Sequence, residues 1–121
     1  PAASKYVGSY NVVERSSDGT FRYDTGIMPG ATANEFVITN LFGEDTEAQT
    51  RVIANADGSF SFPNYNDNYL YTDGNVALYV EGLSAEGNPC TGDFTLSFNL
   101  RTAAGQLAAG PVEATFTRKL R

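Results

Sequence analysis

Along residues 93–101, DFTLSFNLR, apolar and polar side chains alternate without a break: Phe94, Leu96, Phe98 and Leu100 against Thr95, Ser97, Asn99 and Arg101. A period of two is that of a β-strand with one face buried, so the segment predicts a strand. The same pattern recurs along the chain. A first strand over 6–15 sets Gly8, Tyr10 and Val12 on one face and Val7, Ser9, Asn11 and Val13 on the other. A second over 20–28 carries Phe21 and Tyr23 on one face. EFVITNLF at 35–42, rich in β-branched and aromatic residues, forms a third. A fourth (49–55) and a short fifth (59–62) follow, and Pro63 ends that ladder by removing a donor. Tyr69-Leu70-Tyr71 predicts a short strand. Residues 75–83 predict another, with Val76, Leu78 and Val80 opposite Ala77, Tyr79 and Glu81. The last, 112–119, alternates Val112, Ala114 and Phe116 with Glu113, Thr115 and Thr117.

Three Asp-Gly pairs, Asp18-Gly19, Asp57-Gly58 and Asp73-Gly74, fall where alternation pauses. Both residue types tolerate the positive φ of a type I′ turn, which makes each pair a hairpin signal. No stretch keeps a 3.6-residue apolar period; TAAGQLAA at 102–109 comes nearest, and Gly105 weakens it. Eight or nine strands on tight turns predict one all-β domain over residues 1–121. Its architecture is an antiparallel up-and-down meander, closed or nearly closed as a barrel, with a β-sandwich as the alternative. One apolar face per strand favours the barrel, which also removes exposed edges. The aligned faces gather Tyr10, Val12, Phe21, Tyr23, Phe36, Ile38, Phe60, Phe62, Leu78, Phe94, Leu96, Phe98 and Phe116 as the interior. A barrel of this size is either filled by such side chains or holds one small ligand, and so many phenylalanines argue for filling.

Composition narrows the functional classes. With 41% hydrophobic and 18% charged residues the chain folds rather than staying disordered. A net charge of -6 repels phosphate backbones and anionic lipid, which excludes nucleic acid as a partner. Arg118, Lys119 and Arg121 read as solubilising charges at the end of the last strand rather than as an anion site. No run of about 18 apolar residues offers a membrane span. The opening Pro-Ala-Ala-Ser-Lys lacks an initiator Met, so the expectation is a trimmed, exported product, extracellular or in the periplasm or cell envelope. The single cysteine, Cys90, closes no disulfide within these residues; it reads as a half-buried turn thiol rather than as a link to another chain or to a further part of this one.

The stretches GSYNVVERSSDG, ANEFVITNLFG, RVIANADGSFSFP and ATFTRK resemble the lipocalin-like (calycin-type) small β-barrel domains of exported bacterial lipoproteins. In that family Gly-x-Tyr or Gly-x-Trp opens the first strand, matched here by Gly8-Ser9-Tyr10. The resemblance implies a fold and an envelope location more than an activity. Two features depart from it: no lipid-attachment cysteine stands at the start, and there is no tryptophan. Avidin-like barrels are similar in architecture, but their pockets rely on tryptophans, so biotin binding is not implied.

The absence of histidine removes imidazole-based triads, Cys-His pairs and His-built zinc sites. Lys5 and Lys119 lie near the termini, where solvation keeps an amine protonated. Glu44, Asp45 and Glu47 form one acidic cluster, read as solvated loop charge rather than as a glycosidase pair. No catalytic residue is assigned, the chain is read as a non-enzyme, and no cofactor is expected. Asn64, Asn66, Asp67, Asn68 and Asp73 supply hard oxygens; Asn66, Asp67 and Asp73 are the weak calcium candidates, set against the plainer reading that turns require Asn and Asp. NYNDNYLY carries Tyr65, Tyr69 and Tyr71, which with Phe94 and Phe98 are the candidate ligand-binding residues. Alternation puts Tyr69 and Tyr71 on one face, preferred as the core side, and leaves Tyr65 exposed.

The expectation is therefore a non-enzymatic exported module with a binding or structural role, its partner a small molecule, a glycan or a protein. One alternative is a carrier holding an apolar ligand among Phe94, Phe98, Phe36 and Leu78. Another is a self-assembling subunit joined by strand addition through an unpaired first or last strand.

Overall fold

Alternation becomes sheet over most of its predicted length. The computed structural model describes residues 2–43 and 48–120, so Glu44, Asp45, Glu47 and Arg121 lie outside the described residues. The strands are β1 (Gly8–Ser16), β2 (Gly19–Pro29), β3 (Glu35–Thr39), β4 (Gln49–Ala54), β5 (Phe60–Ser61), β6 (Tyr69–Asp73), β7 (Val76–Gly87), β8 (Phe94–Thr102) and β9 (Leu107–Arg118). Three 3₁₀ turns accompany them at Ala2–Tyr6, Leu41–Gly43 and Tyr65–Asp67. All strands pair antiparallel in one sheet of order β5-β4-β3-β2-β1-β9-β8-β7-β6, curled into a partial barrel. The first and last strands pair with each other in the middle of the sheet, so neither offers the free edge that strand addition through them requires.

Several boundaries moved for identifiable reasons. β3 stops at Thr39 instead of running to residue 42, because Asn40 and Phe42 take positive φ values of 59° and 67°. Non-local bonds hold that turn: Asn40 Nδ2 donates to the Asp24 carbonyl at 2.9 Å, and the Phe42 N–H donates to the Tyr23 hydroxyl at 2.9 Å. β7 runs on to Gly87 past a register shift between Gly82 and Ser84. β9 starts at Leu107 rather than 112, and its pairing with β8 absorbs the glycine and proline through two register shifts.

The interior is filled. Phe94 and Phe116 stack with ring centroids 4.3 Å apart, Phe36 lies 5.6 Å from Phe94, and Phe98 is wholly buried. Each fully buried ring of this kind contributes about 2–3 kcal/mol of transfer free energy. Tyr23, Phe60 and Phe62 pack half-buried against the cluster, as the sequence predicts. Phe21 does not: it is 55% exposed. Its face is the predicted one, but the first four residues of β2 project beyond the barrel, and periodicity gives a residue's face without telling where the packed layer ends.

At one end the Ala2–Tyr6 turn seals the barrel. Tyr6 sits edge-on to Phe60 (5.2 Å) and Phe94 (5.8 Å), and the Tyr10 hydroxyl lies 2.8 Å from both the Tyr6 and Gly92 carbonyls. Arg118 ties the turn down, donating to the carbonyls of Lys5 (3.1 Å) and Val7 (2.7 Å), while Lys119 pairs with Asp24 at 3.1 Å. Two of the three terminal basic residues are thus engaged structurally.

The sheet's two edges, β5 and β6, face each other across a seam that Asn68 bridges. Its Oδ1 accepts the Arg51 N–H (2.9 Å), its Nδ2 donates to the Arg51 carbonyl (3.2 Å), and its own carbonyl accepts the Val80 N–H (2.9 Å). This one residue therefore stands in for a strand between β4 and β7. Beside it, bare glycine backbone receives aromatic rings. A Cβ on Gly82 would overlap the Phe62 ring, and one on Gly87 would lie 2.6 Å from the Tyr6 hydroxyl and 2.8 Å from Phe60.

Candidate binding surface

A β-bulge decides where the tyrosines go. Between Tyr69 and Tyr71 the β6–β7 register shifts, so the two residues point to opposite sides of the sheet rather than sharing the core face. Leu70 takes the buried position. Tyr71 turns inward opposite Leu78 and stacks on Phe42 at 6.4 Å, while Tyr69 stays on the outer face at 47% exposure. There Tyr69 meets Tyr79 edge-on at 5.8 Å, and half-buried Tyr65, delivered by its 3₁₀ turn, meets the same ring at 6.4 Å. The Tyr69 hydroxyl is 2.6 Å from Thr72 Oγ1, which fixes the ring's tilt.

Register then extends this cluster across four strands. Tyr69 pairs with Tyr79, Tyr79 with Arg101, and Arg101 with Leu107. Alternate residues share a face and cross-strand partners lie side by side, so the four make one transverse row. The polar members are held in place. Arg101 Nε donates to Glu81 Oε1 at 3.0 Å, its Nη1 donates to the Gly105 carbonyl at 3.0 Å, and Asn99 Nδ2 donates to Glu81 Oε1 at 3.0 Å. The Asn99 amide, followed by the Arg101 guanidinium, holds the Glu81 carboxyl below the usual carboxylate range. An ion pair this exposed adds little to stability; its consequence here is a guanidinium and a carboxylate with fixed orientation beside three rings.

Of the candidate residues, Tyr65 and Tyr69 meet on this surface and Tyr71 is parted from them. Phe94 and Phe98 pack in the core with Phe36 and Leu78. A depression of about 360 Å³ along β7–β9 has Phe94 in its lining, while those of about 460 and 540 Å³, by Gly110-Pro111 and beside Cys90, include none of Phe94, Phe98, Phe36 or Leu78. Asn66, Asp67 and Asp73 do not form one site. Asp67 precedes β6 and Asp73 ends it, and six residues of nearly extended chain separate them by roughly 15–20 Å. Among the described residues no group of three or more His, Cys, Asp or Glu side chains is placed to hold a metal ion. Cys90 is exposed rather than half-buried, its N–H donating to Asn88 Oδ1 at 2.9 Å. Tyr79, Glu81, Asn99 and Arg101 were missed as site residues. Their alternation marks them as outward, but only register brings residue 79 beside 101. Comparison with models of known families, with curated proteins and with solved structures finds no match.

Proposed function

We propose that the chain is a non-enzymatic, exported β-barrel module of lipocalin-like type that binds a neutral glycan on the outer face of β6–β9. The observation that carries this is the row Tyr69–Tyr79–Arg101–Leu107 with Tyr65 beside it. Ring faces pack on the C–H faces of sugars, and oriented planar groups such as Arg101, Glu81 and Asn99 match vicinal hydroxyls. The net charge of -6 selects against uronic and sulfated chains. The filled core supports surface binding over an enclosed ligand.

Affinity electrophoresis through gels containing neutral polysaccharides tests the reading. At least one polysaccharide retards the protein, and Tyr69→Ala weakens retention roughly fivefold, about 1 kcal/mol for one ring. Free mobility in every gel would refute it. One feature favours a second reading, contact with protein: Leu107, at the end of the row, is 54% exposed. Sedimentation velocity separates the two, since self-association abolished by Leu107→Asp, with no glycan retention, supports the protein contact.

A further inference from the structure

The outer row lies on the convex side of the curled sheet and runs around the barrel, across the strands rather than along them. Three steps between neighbouring strands, about 4.8 Å each, give it a length of about 14 Å, the span of about three pyranose rings. Its end members are its most exposed, Tyr69 at 47% and Leu107 at 54%. β1 pairs with β9 only over 113–118, so Leu107 stands on a part of β9 with no strand beyond it among the described residues. The polar groups at the middle of the row keep hydrogen-bonding capacity. Glu81 Oε1 accepts from both Asn99 and Arg101, and Arg101 donates through Nε and Nη1. Glu81 Oε2 and Arg101 Nη2 make no hydrogen bond among the described residues, which leaves a free acceptor close to a free donor.

We propose, building on the glycan reading above, that the row takes an internal stretch of about three units of a single, soluble β-1,4-glucan chain. An equatorially linked chain extends as a ribbon whose rings turn their C–H faces outward in succession, one for each platform of the row. An axially linked chain coils and cannot present them in line. Equatorial hydroxyls lie in the plane of each ring, so a 2,3-diol can donate to Glu81 Oε2 and accept from Arg101 Nη2 while the ring's face rests on Tyr79. An axial 2-hydroxyl, as in a mannan, leaves that plane and loses one of the two bonds. Convexity, together with a strand twist of about 20–25° per step, turns successive platforms away from a common plane. A free chain follows that rotation, whereas a crystalline face meets only part of the row. A row exposed at both ends reads the middle of a chain and needs no chain terminus.

Isothermal titration calorimetry with cello-oligosaccharides from glucose to cellohexaose, beside maltotetraose and mannotetraose, tests the assignment. Affinity rises at least about tenfold from cellobiose to cellotetraose and is level from there on, and the other two tetraoses bind at least about tenfold more weakly. Reducing the end unit of cellohexaose to its alditol changes nothing, because internal units are read. Leu107→Ser makes cellotetraose bind no more tightly than cellotriose while thermal unfolding is unchanged, since Leu107 packs outside the core cluster. Glu81→Gln removes the free acceptor and weakens cellotetraose roughly fivefold. Crystalline cellulose, spun down with the protein, leaves it in solution. Glucose or either other tetraose binding as tightly as cellotetraose, indifference to both substitutions, or sedimentation with the crystalline polymer overturns the proposal. So does silence of the whole cello- series in a protein that another polysaccharide gel retards, and that outcome leaves the glycan surface standing. Free mobility in every gel, with no heat from any oligosaccharide, removes both.

Discussion

Replacing Asn68 with alanine keeps the backbone bond from Val80 but strips the Arg51 N–H and carbonyl of both side-chain partners, on the side of β4 that faces away from β3 and that β5 covers only at Ile53 and Ala54. Each lost bond is worth about 1 kcal/mol, and a buried group left unpaired loses about 1–3 kcal/mol. Arg51 is only half-buried, so water reaches part of the gap and the lower end of that range applies. The expected loss is about 3 kcal/mol. An unfolding entropy near 2.1 cal/mol/K per residue gives about 0.25 kcal/mol/K for this chain, so Tm falls by about 12 °C. Asn68→Asp sharpens the test. A protonated acid copies the amide, accepting from the N–H and donating to the carbonyl, whereas a carboxylate turns a lone pair on the Arg51 carbonyl. The folded state therefore prefers the proton and its pKa lies above the unfolded value of about 3.9. The variant's stability is fully present below that pH and is lost as pH rises through the folded pKa. Urea unfolding followed by circular dichroism at pH values from about 3 to 7 reads both effects. If Asn68→Ala stays within about 1 kcal/mol of the parent and Asn68→Asp tracks it at every pH, the seam is held by the aromatic–glycine contacts and the amide is incidental.

Gly82→Ala drives a methyl into the Phe62 ring and is expected to lose about 1–3 kcal/mol, with Phe62→Leu in the same chain restoring part of it; equal stability of all three proteins would dismiss the seam packing. Thr50 is 1% exposed and its hydroxyl has no hydrogen-bond partner among the described residues, so Thr50→Val should stabilise the fold by about 1 kcal/mol in the same urea assay, and a loss would point to a bond outside them. Tyr10 has its pKa pushed up to about 12, by burial first, with Arg118 pulling it back. A phenol that holds its proton more tightly when folded contributes stability that is intact below pH about 10 and declines as pH rises beyond it. Ultraviolet titration should therefore show a late tyrosine step whose amplitude falls in Tyr10→Phe; an unchanged late step in that variant would contradict the burial.

The parts of the fold legible in the sequence are those set by neighbours two residues apart. β8 runs over 94–102 almost as its alternation predicts, and the turns at Asp18-Gly19 and Asp73-Gly74 connect β1 to β2 and β6 to β7. What was hidden depends on partners distant in the chain. β3 ends early because the Tyr23 hydroxyl and the Asp24 carbonyl, sixteen or more residues away, hold Phe42 and Asn40. Tyr69 and Tyr71 part because β6 bulges against β7, and no local pattern marks the bulge. The outer row was readable as outward faces but not as a row, since joining Tyr79 to Arg101 and Leu107 needs register across shifts. Glu14 is the opposite case: carrying the Tyr10–Val12 period two residues further makes it inward, and only its charge argued against extending the face. Such a conflict between local rule and global fold is expected where function outweighs stability. Of the four buried polar residues described, Glu14 and Thr50 lie toward the β1–β2 and β3–β4 connections, Thr25 pairs with Tyr10 in mid-strand, and Asn68 bonds Arg51 across the seam, so buried polarity is spread through the barrel and each group has to be read from its own cross-strand neighbours.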